Sequence, residues 1–366
     1  MSHSRAGAHR SRRRETSASA TPSRGINLPR LTSLRALAAL IVFGYHIGHH
    51  TSWLPGARIT SHGYVGVAFF FVLSGFVLTW STSPGTSART FWIRRFARVY
   101  PSHAAMFAVA LALPVLAFPP TLVAAGANLV LLQAWFPQWD IAFGINAVSW
   151  SLSCEAFFYL LAPLVIRAAR ARSLPRAGAI LGTWAAVCAV TAASLSLQSQ
   201  AWDIALYTNP LARSGEFVLG ILIAIAVERG VRPRLHPALP AVGILGWWLA
   251  LTGVGLPQTV VDVSFVPLFA LTILSLALAD LEGRRSILRW RWAVYAGEVS
   301  FAFYLVHELV IMNLAALVGD GGTHVQRVAY PVLALALSTV AAIALHHGVE
   351  RPAQKWIRAR WLKAPG

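Results

Sequence analysis

The chain of 366 residues is 56% hydrophobic and only 12% charged, with a mean hydropathy of +0.59. A soluble domain usually carries about 25% charged residues, so this composition leaves too little polar surface to coat a water-soluble globule. The formal net charge of +18 would point to nucleic acid in a soluble protein. Here the basic residues cluster between alternate apolar blocks, without a basic domain interleaved with aromatics, so no nucleic-acid partner is expected.

Residues 1–30 are rich in Arg, Ser, Ala and Thr and predict a disordered basic cytoplasmic tail. The competing interpretation is a signal peptide, because a basic region precedes the apolar residues 31–48. Arg35 and His46 interrupt that apolar run, however, and no small-residue cleavage site follows it.

Ten apolar blocks follow, each long enough to cross a hydrocarbon core of about 30 Å as a helix. The predicted spans are 31–50, 64–81, 101–118, 148–168, 177–197, 210–227, 238–256, 262–280, 293–316 and 327–348. The segment 121–136 is apolar but short, and it predicts an interfacial or re-entrant segment. The expected fold class is therefore all-α, a polytopic membrane helix bundle of about ten transmembrane helices.

The basic residues also predict the orientation of this bundle. If the ten spans alternate, 27 of the 31 Lys and Arg fall on the side of the N-terminus. Basic loops favour the cytoplasmic side, so both termini are predicted to be cytoplasmic, with the bundle in the plasma membrane. An odd number of spans would break this alternation.

The two cysteines, Cys154 and Cys188, both lie within apolar blocks. This placement argues against a disulfide framework and against a cysteine zinc site.

Arg35 and His46 are ionisable residues within the first predicted span, where such a side chain costs roughly 2.5–3.5 kcal/mol on insertion scales. At about 100° per residue they share one helix face, about 16 Å apart. One face would then hold an anionic donor near the cytoplasmic boundary and offer a base beyond the midplane. The structural alternative is that Arg35 reaches lipid headgroups and His46 is a hydrogen-bonded packing residue.

Ser151, Glu155 and Tyr159 recur at four-residue intervals in the fourth predicted span and therefore share a helix face. Counting from the outer boundary places Glu155 about 10 Å deep, a depth similar to that of His46. A carboxylate at that depth can orient an imidazole and stabilise its charge. The alternative role for Glu155 is an intramembrane salt bridge to an arginine.

Two later spans carry further polar candidates in their outer halves. Arg213 and Glu216 are spaced to pair on their own helix, so a structural role is at least as well supported as a functional one. Tyr304 and His307 share a face of the ninth predicted span. His307, which Glu308 follows, is either a site residue or a core histidine.

The predicted cytoplasmic stretch 91–101 alternates aromatic and cationic residues at amphipathic-helix spacing. Its Arg94, Arg95 and Arg98 suit an interfacial helix that binds lipid phosphates. They suit equally the phosphates of a nucleotide-bearing thioester such as coenzyme A, because the arginine fork matches phosphate geometry. In the preceding span, Gly75 beside Ser74 is small enough to permit close helix approach.

Together these features resemble the membrane-bound acyltransferase family 3, over nearly the whole chain from residue 31 to 356. The resemblance is carried by the pair Arg35 and His46, FFVLSGF at 70–76, FWIRRFARVYP at 91–101, NAVSWSLSCEAFFYLLAP at 146–163, RSGEFVLG at 213–220, GEVSFAFYLVH at 297–307, and Glu350, Arg351 and Pro352.

The resemblance implies a membrane acyltransferase domain at 31–356, followed by a basic cytoplasmic tail at 357–366. It also implies that His46 is catalytic and that Arg35 is essential. The family pattern extends further to Arg94, Arg95, Arg98, Trp150, Ser151, Leu152 and Glu155.

Family members O-acylate sugars, polysaccharides, lipid-linked glycans and some antibiotic glycosides. The expected reaction therefore moves an acetyl or other short acyl group from acyl-CoA to a hydroxyl of a carbohydrate or glycosylated acceptor. His46 would take the hydroxyl proton and Glu155 would support the imidazolium, with no metal and no permanently bound cofactor. Candidate acceptor-site or supporting residues are Trp150, Ser151, Tyr159, Arg213, Glu216, Tyr304 and His307.

The alternative function is a transporter or flippase of a glycoside or glycolipid. That function predicts broken helices and related halves, and no inverted repeat is evident in the sequence.

Overall fold

A computed structural model describes residues 27–51, 57–318 and 323–362. Over these residues the chain forms helices and their connections and contains no strand, so the predicted all-α fold class is confirmed. The α-helices of the described residues are α1 Pro29–His50, α2 Ala57–Thr60, α3 Gly66–Ser81, α4 Ala88–Ala112, α5 Leu122–Leu129, α6 Trp139–Ala142, α7 Trp150–Arg170, α8 Leu174–Ser196, α9 Gln200–Thr208, α10 Pro210–Glu228, α11 Ala238–Leu251, α12 Gln258–Leu281, α13 Arg291–Val318, α14 His324–Leu345 and α15 Arg351–Trp361.

Eight helical segments of the described chain are long and apolar enough to cross a membrane. They are Pro29–His50, Gly63–Ser81, Ala147–Arg170, Leu174–Ser196, Pro210–Glu228, Gln258–Leu281, Arg291–Val318 and Gln326–Trp361. Their outward faces carry exposed aliphatic side chains, such as Leu164 at 68% and Val190 at 64% exposure. Apolar side chains on the outside of a bundle suit contact with lipid.

The other two predicted spans are also helical, but their apolar segments are shorter than those of the eight helices. The helix of the third predicted span, α4, ends at Ala112, and its first half contains the arginine-rich stretch. The seventh, α11, has 14 residues, and it would extend only about 21 Å against a hydrocarbon core of about 30 Å. The number of crossings and the side on which the termini lie stay predictions.

Glycines allow two pairs of helices to approach at backbone distance. A Cβ at Gly75 or Gly220 would clash with a carbonyl oxygen of the facing helix, so α3 and α10 cross in direct contact. Small residues serve this purpose in membrane bundles, and the prediction for Gly75 is confirmed. Gly297 lies in the same way against the Thr32 carbonyl, which fixes α13 alongside α1.

The segment between α4 and α7 contains short helices and 3₁₀ turns whose irregular backbone is partly buried. Asn128 Nδ2 donates to the Gly144 carbonyl (3.1 Å) and to Ser149 Oγ (2.8 Å). Gln133 Nε2 donates to the Ser149 carbonyl at 2.8 Å. Non-helical backbone at membrane depth needs such partners. These bonds hold the 3₁₀ turn Ala147–Ser149, from which α7 begins.

Most of the predicted N-terminal tail, residues 1–26, lies outside the described residues, as do residues 363–366. The last two residues assigned to that tail, Pro29 and Arg30, belong to α1. The Arg30 backbone N–H donates to Asp280 Oδ2 at 2.9 Å, and its guanidinium lies 3.6 Å from Asp280 Oδ1. The contact anchors the start of α1 to the end of α12.

Candidate active site

The polar end of α1 meets α13 in a group of four side chains, His46, His50, His307 and Glu308, which we call the histidine cluster. His46 Nδ1 lies 2.8 Å from His307 Nε2 and 3.0 Å from Glu308 Oε2. His50 Nε2 lies 2.8 Å from Glu308 Oε1. His307 and Glu308 are buried, whereas the His46 side chain is 17% exposed. The structure therefore brings together His46 and His307, which the sequence named separately.

The hydrogen bonds of the cluster determine which nitrogen of His46 is free. His307 Nδ1 lies 2.8 Å from the Tyr304 carbonyl oxygen and 3.2 Å from the Phe303 carbonyl oxygen. A carbonyl only accepts, so His307 Nδ1 carries its hydrogen and His307 Nε2 carries a lone pair. His46 Nδ1 must then donate to His307 Nε2. The remaining ring nitrogen of His46, Nε2, therefore holds a lone pair suited to a base.

The carboxylate in contact with His46 is Glu308, and among the described residues no contact joins Glu155 to His46, so support of His46 by Glu155 stays a prediction. Glu155 instead accepts a hydrogen bond from the Tyr159 hydroxyl at 2.6 Å and lines a cavity with Arg35. Glu155 thus lies near arginines inside the bundle, as the alternative prediction of an intramembrane salt bridge requires.

The reason is the level at which α7 begins. Asn146, just before α7, donates to the Leu305 carbonyl at 3.0 Å, and Ser151 Oγ lies 2.9 Å from the Tyr304 hydroxyl. The start of α7 is thus level with a position about one helical turn before Glu308 on α13. Glu155 lies about one further turn along α7, in the direction away from Glu308. Depth counting placed the start of α7 at the outer membrane boundary and counted His46 from the inner boundary.

His46 and Glu308 line a cavity of about 460 Å³, which we call the aromatic cavity. Aromatic rings form much of its wall, from Tyr45, Tyr64, Trp139, Trp150, Tyr207 and Tyr304. Gln258 adds an amide, whose Nε2 lies 3.2 Å from the Tyr45 hydroxyl. A largely apolar cavity with a few placed polar groups is the usual form of a small-molecule site.

Two smaller cavities, of about 40 and 90 Å³, lie in the same bundle, and we call them the arginine cavities. Both are lined by Arg35 and Glu155. Tyr304 lines the smaller one and the aromatic cavity, whereas Arg95 and Arg98 line the larger one. The three cavities are separate spaces with shared wall residues, and we call this series of cavities from Arg98 to His46 the interior path.

The three arginines predicted to bind the donor differ in their surroundings. Arg95 and Arg98 face the arginine cavities, whereas Arg94 is exposed and does not line them. Arg98 forms an ion pair with Glu350, which is fully buried in a π-helical turn at His346–Glu350. Glu350, one of the residues that carry the family resemblance, therefore pairs with one of the predicted donor-binding arginines.

Arg213 and Glu216 pair within α10 at 3.3 Å, as their spacing predicted. Arg213 also forms an ion pair with Asp262 of α12. Its guanidinium lies 5.9 Å from the Trp150 ring centroid and 5.4 Å from that of Tyr207. Arg213 therefore lies behind the aromatic wall, where it supports residues that face the cavity.

Three residues of this region were not among the predicted site residues. His50 is one helical turn from His46, a spacing that could have identified it. Asp262 is an ionisable residue inside a predicted span, which is the same signal that identified Arg213. Glu308 was noticed beside His307, but its contact with α1 depends on packing that the sequence does not encode locally.

The sequence pattern of the family described as an acyltransferase domain matches residues 28–347. The chain belongs to acyltransferase family 3. It is 37% identical to acyltransferase MdmB of Streptomyces mycarofaciens, over 93% of this chain and 95% of that protein. These matches confirm the family and the enzyme class inferred from the sequence, and with the apolar helices they show a multi-pass membrane acyltransferase.

Other relatives in this family are larger proteins. The chain is 32% identical to peptidoglycan O-acetyltransferase OatA of Listeria monocytogenes, over 37% of this chain and 24% of that protein. It is 26% identical to O-acetyltransferase OatA of Staphylococcus aureus, over 78% of this chain and 51% of that protein. The chain thus spans about half or less of the OatA proteins it matches. No solved structure matches the chain.

Proposed function

We propose that this enzyme transfers an acetyl or other short acyl group from acyl-CoA to a hydroxyl of a carbohydrate or glycosylated acceptor. It would act in the plasma membrane with both termini in the cytoplasm. The observation that carries the proposal is His46 Nε2, which has no hydrogen-bond partner within the described part of the chain and belongs to a side chain on the wall of the aromatic cavity. The O-acetyltransferase names of two relatives support transfer to oxygen.

The aromatic cavity supports a carbohydrate acceptor. The C–H face of a sugar ring packs against aromatic rings, and its hydroxyls need a few polar partners such as Gln258 and Glu308. A volume of about 460 Å³ lies within the range of small-molecule sites. A single acceptor sugar therefore suits this space, with any larger aglycone or polymer extending outward.

The arginine cavities support a phosphate-bearing donor. Arg35, Arg95 and Arg98 follow one another along the interior path that ends at His46. Arginine forks match phosphate oxygens in charge and geometry. Because these cavities are small and Glu350 occupies Arg98, donor entry requires the surrounding side chains to separate and the donor phosphate to replace Glu350.

In direct transfer, His46 Nε2 removes the proton of the acceptor hydroxyl while the oxygen attacks the thioester carbonyl carbon. The C–S bond then breaks, and the imidazolium returns the proton to the leaving thiolate of coenzyme A. Glu308, 3.0 Å from His46 Nδ1, stabilises the positive charge that the ring carries between these steps. By accepting a hydrogen bond from His46 Nδ1, His307 keeps the His46 hydrogen on Nδ1 and leaves the lone pair on His46 Nε2.

The same lone pair suits a covalent route. In that route His46 Nε2 attacks the thioester first, coenzyme A leaves, and the acyl-imidazole is then attacked by the acceptor hydroxyl. Both routes consume one thioester and one alcohol and yield one ester and one thiol. They differ in whether labelled acyl groups accumulate on the protein before the acceptor is added.

The test is a single-turnover assay with radiolabelled acetyl-CoA and purified protein in nanodiscs, with and without candidate glycans and glycosides. We expect acceptor-dependent transfer of label by the wild type and by His347→Gln, an exposed histidine outside the cluster. We expect none by His46→Gln. Transfer by His46→Gln at the wild-type rate would reject His46 as the base. Failure of all acceptors, combined with movement of a glycoside across vesicles, would replace the enzyme with the transporter.

A further inference from the structure

The histidine cluster has a feature that acyl transfer does not use. His46 Nδ1, His307 Nε2 and one Glu308 carboxylate oxygen lie within 4.8 Å of one another. Each of these atoms can offer a lone pair to an ion, provided that the hydrogen of His46 moves from Nδ1 to Nε2 and the two rings turn from their mutual hydrogen bond toward it. Two imidazole nitrogens and a carboxylate oxygen form a ligand set found in catalytic zinc sites.

The carboxylate also lacks a hydrogen-bond donor on one side. Glu308 Oε2 is buried, and although it lies 3.0 Å from His46 Nδ1, no donor among the described residues is aligned to hydrogen-bond with it. The single hydrogen of His46 Nδ1 is directed to His307, and His50 contacts the other carboxylate oxygen. A buried carboxylate oxygen without a partner is costly. A cation placed between Glu308, His46 and His307 would remove that cost.

We propose that a Zn²⁺ ion binds reversibly to His46 Nδ1, His307 Nε2 and Glu308 Oε2, and that this ion inhibits the enzyme. Zn²⁺ holds nitrogen and oxygen ligands at about 2.0–2.2 Å, so ligand atoms around a tetrahedral ion lie about 3.3 Å apart. The separations of 2.8 and 3.0 Å from His46 Nδ1 need to widen by a few tenths of an ångström, and the third separation, between His307 Nε2 and Glu308 Oε2, is within 4.8 Å. The aromatic cavity gives the ion access and leaves its fourth position to water.

His50 acts as a positioning residue in this site. Its Nε2 contacts Glu308 Oε1 at 2.8 Å, which leaves Oε2 directed to the other two ligands. Contacts of this kind to a metal ligand typically change affinity by about 10- to 100-fold when removed. His50→Gln is therefore expected to weaken the ion without abolishing the site.

The inhibition follows from the position of one proton, and this step rests on the proposed function. An ion on His46 Nδ1 forces the ring hydrogen onto Nε2. The ring then has no lone pair with which to accept the hydroxyl proton or to attack a thioester. The ion therefore inhibits by converting His46 to the tautomer with its hydrogen on Nε2. The acceptor and donor cavities keep their shape.

The binding test uses Co²⁺ as a spectroscopic probe for the zinc site. The full-length chain is purified without a histidine tag, stripped with a chelator and titrated with Co²⁺ in the absence of substrates. We expect one bound ion with the visible bands of low-coordinate Co²⁺, and displacement of these bands by Zn²⁺. The bands should be lost in His307→Gln and Glu308→Gln and retained in His347→Gln. Bands that are absent from the wild type, or unchanged in both ligand variants, would overturn the site.

The functional arm measures acyl transfer by the wild type with added Zn²⁺ and then with excess chelator. We expect Zn²⁺ to abolish transfer and the chelator to restore it, whereas His50→Gln should need at least tenfold more Zn²⁺ for the same inhibition. Stimulation by Zn²⁺, or binding without inhibition, would overturn the inhibitory role. Because Co²⁺ binding is read without substrate, failure of the acyltransferase proposal would leave the binding result intact and distinguishable.

Discussion

The two ends of the interior polar path are built differently. At the arginine end, Arg98 is paired with a fully buried glutamate and the cavities measure only about 40 and 90 Å³. At the histidine end, His46 lies on a cavity of about 460 Å³ with an aromatic wall. The arginine end is therefore charged and nearly closed, whereas the histidine end is open and offers His46 Nε2 as a base. The contrast suggests a division between donor binding and chemistry, which kinetics can separate as changes in KM and kcat.

The largest effect is expected at the histidine end, from His46→Gln. Loss of a general base typically costs about 10²- to 10⁴-fold in rate, and we expect this loss in kcat with the KM for the donor nearly unchanged. Steady-state kinetics over donor concentration checks it, with His347→Gln as the control. A variant that loses donor affinity but retains kcat would remove the distinction between the two ends.

Glu308→Gln should lower kcat by about 10- to 100-fold, because a hydrogen bond or contact to a charged group is worth about 1.5–3 kcal/mol. In the proposed mechanism the carboxylate stabilises the His46 imidazolium, which exists only during the reaction, so the KM for the donor should stay close to wild type. Glu308→Asp, which keeps the charge, should recover part of kcat. Equal loss in the Asp and Gln variants, with normal folding, would argue for a purely structural role.

At the arginine end, Arg95→Gln should raise the KM for acyl-CoA about tenfold and leave kcat at saturating donor nearly unchanged. The matched control is Arg94→Gln, the neighbouring arginine of α4, which is exposed and does not line the arginine cavities. Titration of the donor in both variants decides the matter. If the Arg94 variant shows the larger change in KM, the donor phosphates lie on the helix surface and not along the interior path.

The smallest effect is expected in the aromatic wall. Trp139 is 46% exposed on the cavity, so Trp139→Ala removes a stacking surface without opening the core. Aromatic contacts are worth about 0.5–1.5 kcal/mol, so the KM for the acceptor should rise about 2- to 10-fold while the KM for the donor is constant. Trp202→Ala, 48% exposed but outside the cavity, is the control and should match the wild type.

Much of this arrangement could be predicted from local sequence. The apolar blocks gave the helices, the 11-residue separation placed Arg35 and His46 on one interior line, and the three-residue separation gave the Arg213–Glu216 pair. These predictions depend on the geometry of a single helix, which the sequence encodes directly. Helix periodicity alone is therefore sufficient to predict which residues of one helix share a face.

The partner of His46 could not be predicted in the same way, because it depends on how separate helices are offset. The contact of Gly297 with α1 sets the level of His307 and Glu308 beside His46. The bonds around Ser149 set the start of α7 and therefore place Glu155 at the level of Arg35. Counting residues from an assumed flat boundary misses both offsets, which irregular backbone and glycine contacts determine.

If the two ends of the path perform separate tasks, donor concentration should rescue a variant at the arginine end and not a variant at the histidine end. Acceptor-dependent release of coenzyme A is measured in a single turnover for the wild type, His46→Gln and Arg95→Gln, at limiting and at saturating acyl-CoA. We expect saturating donor to restore Arg95→Gln to nearly the wild-type rate and to leave His46→Gln about 10²- to 10⁴-fold slower than the wild type. Restoration of His46→Gln by saturating donor would contradict this expectation, because His46 would then serve binding and not the transfer of the acyl group.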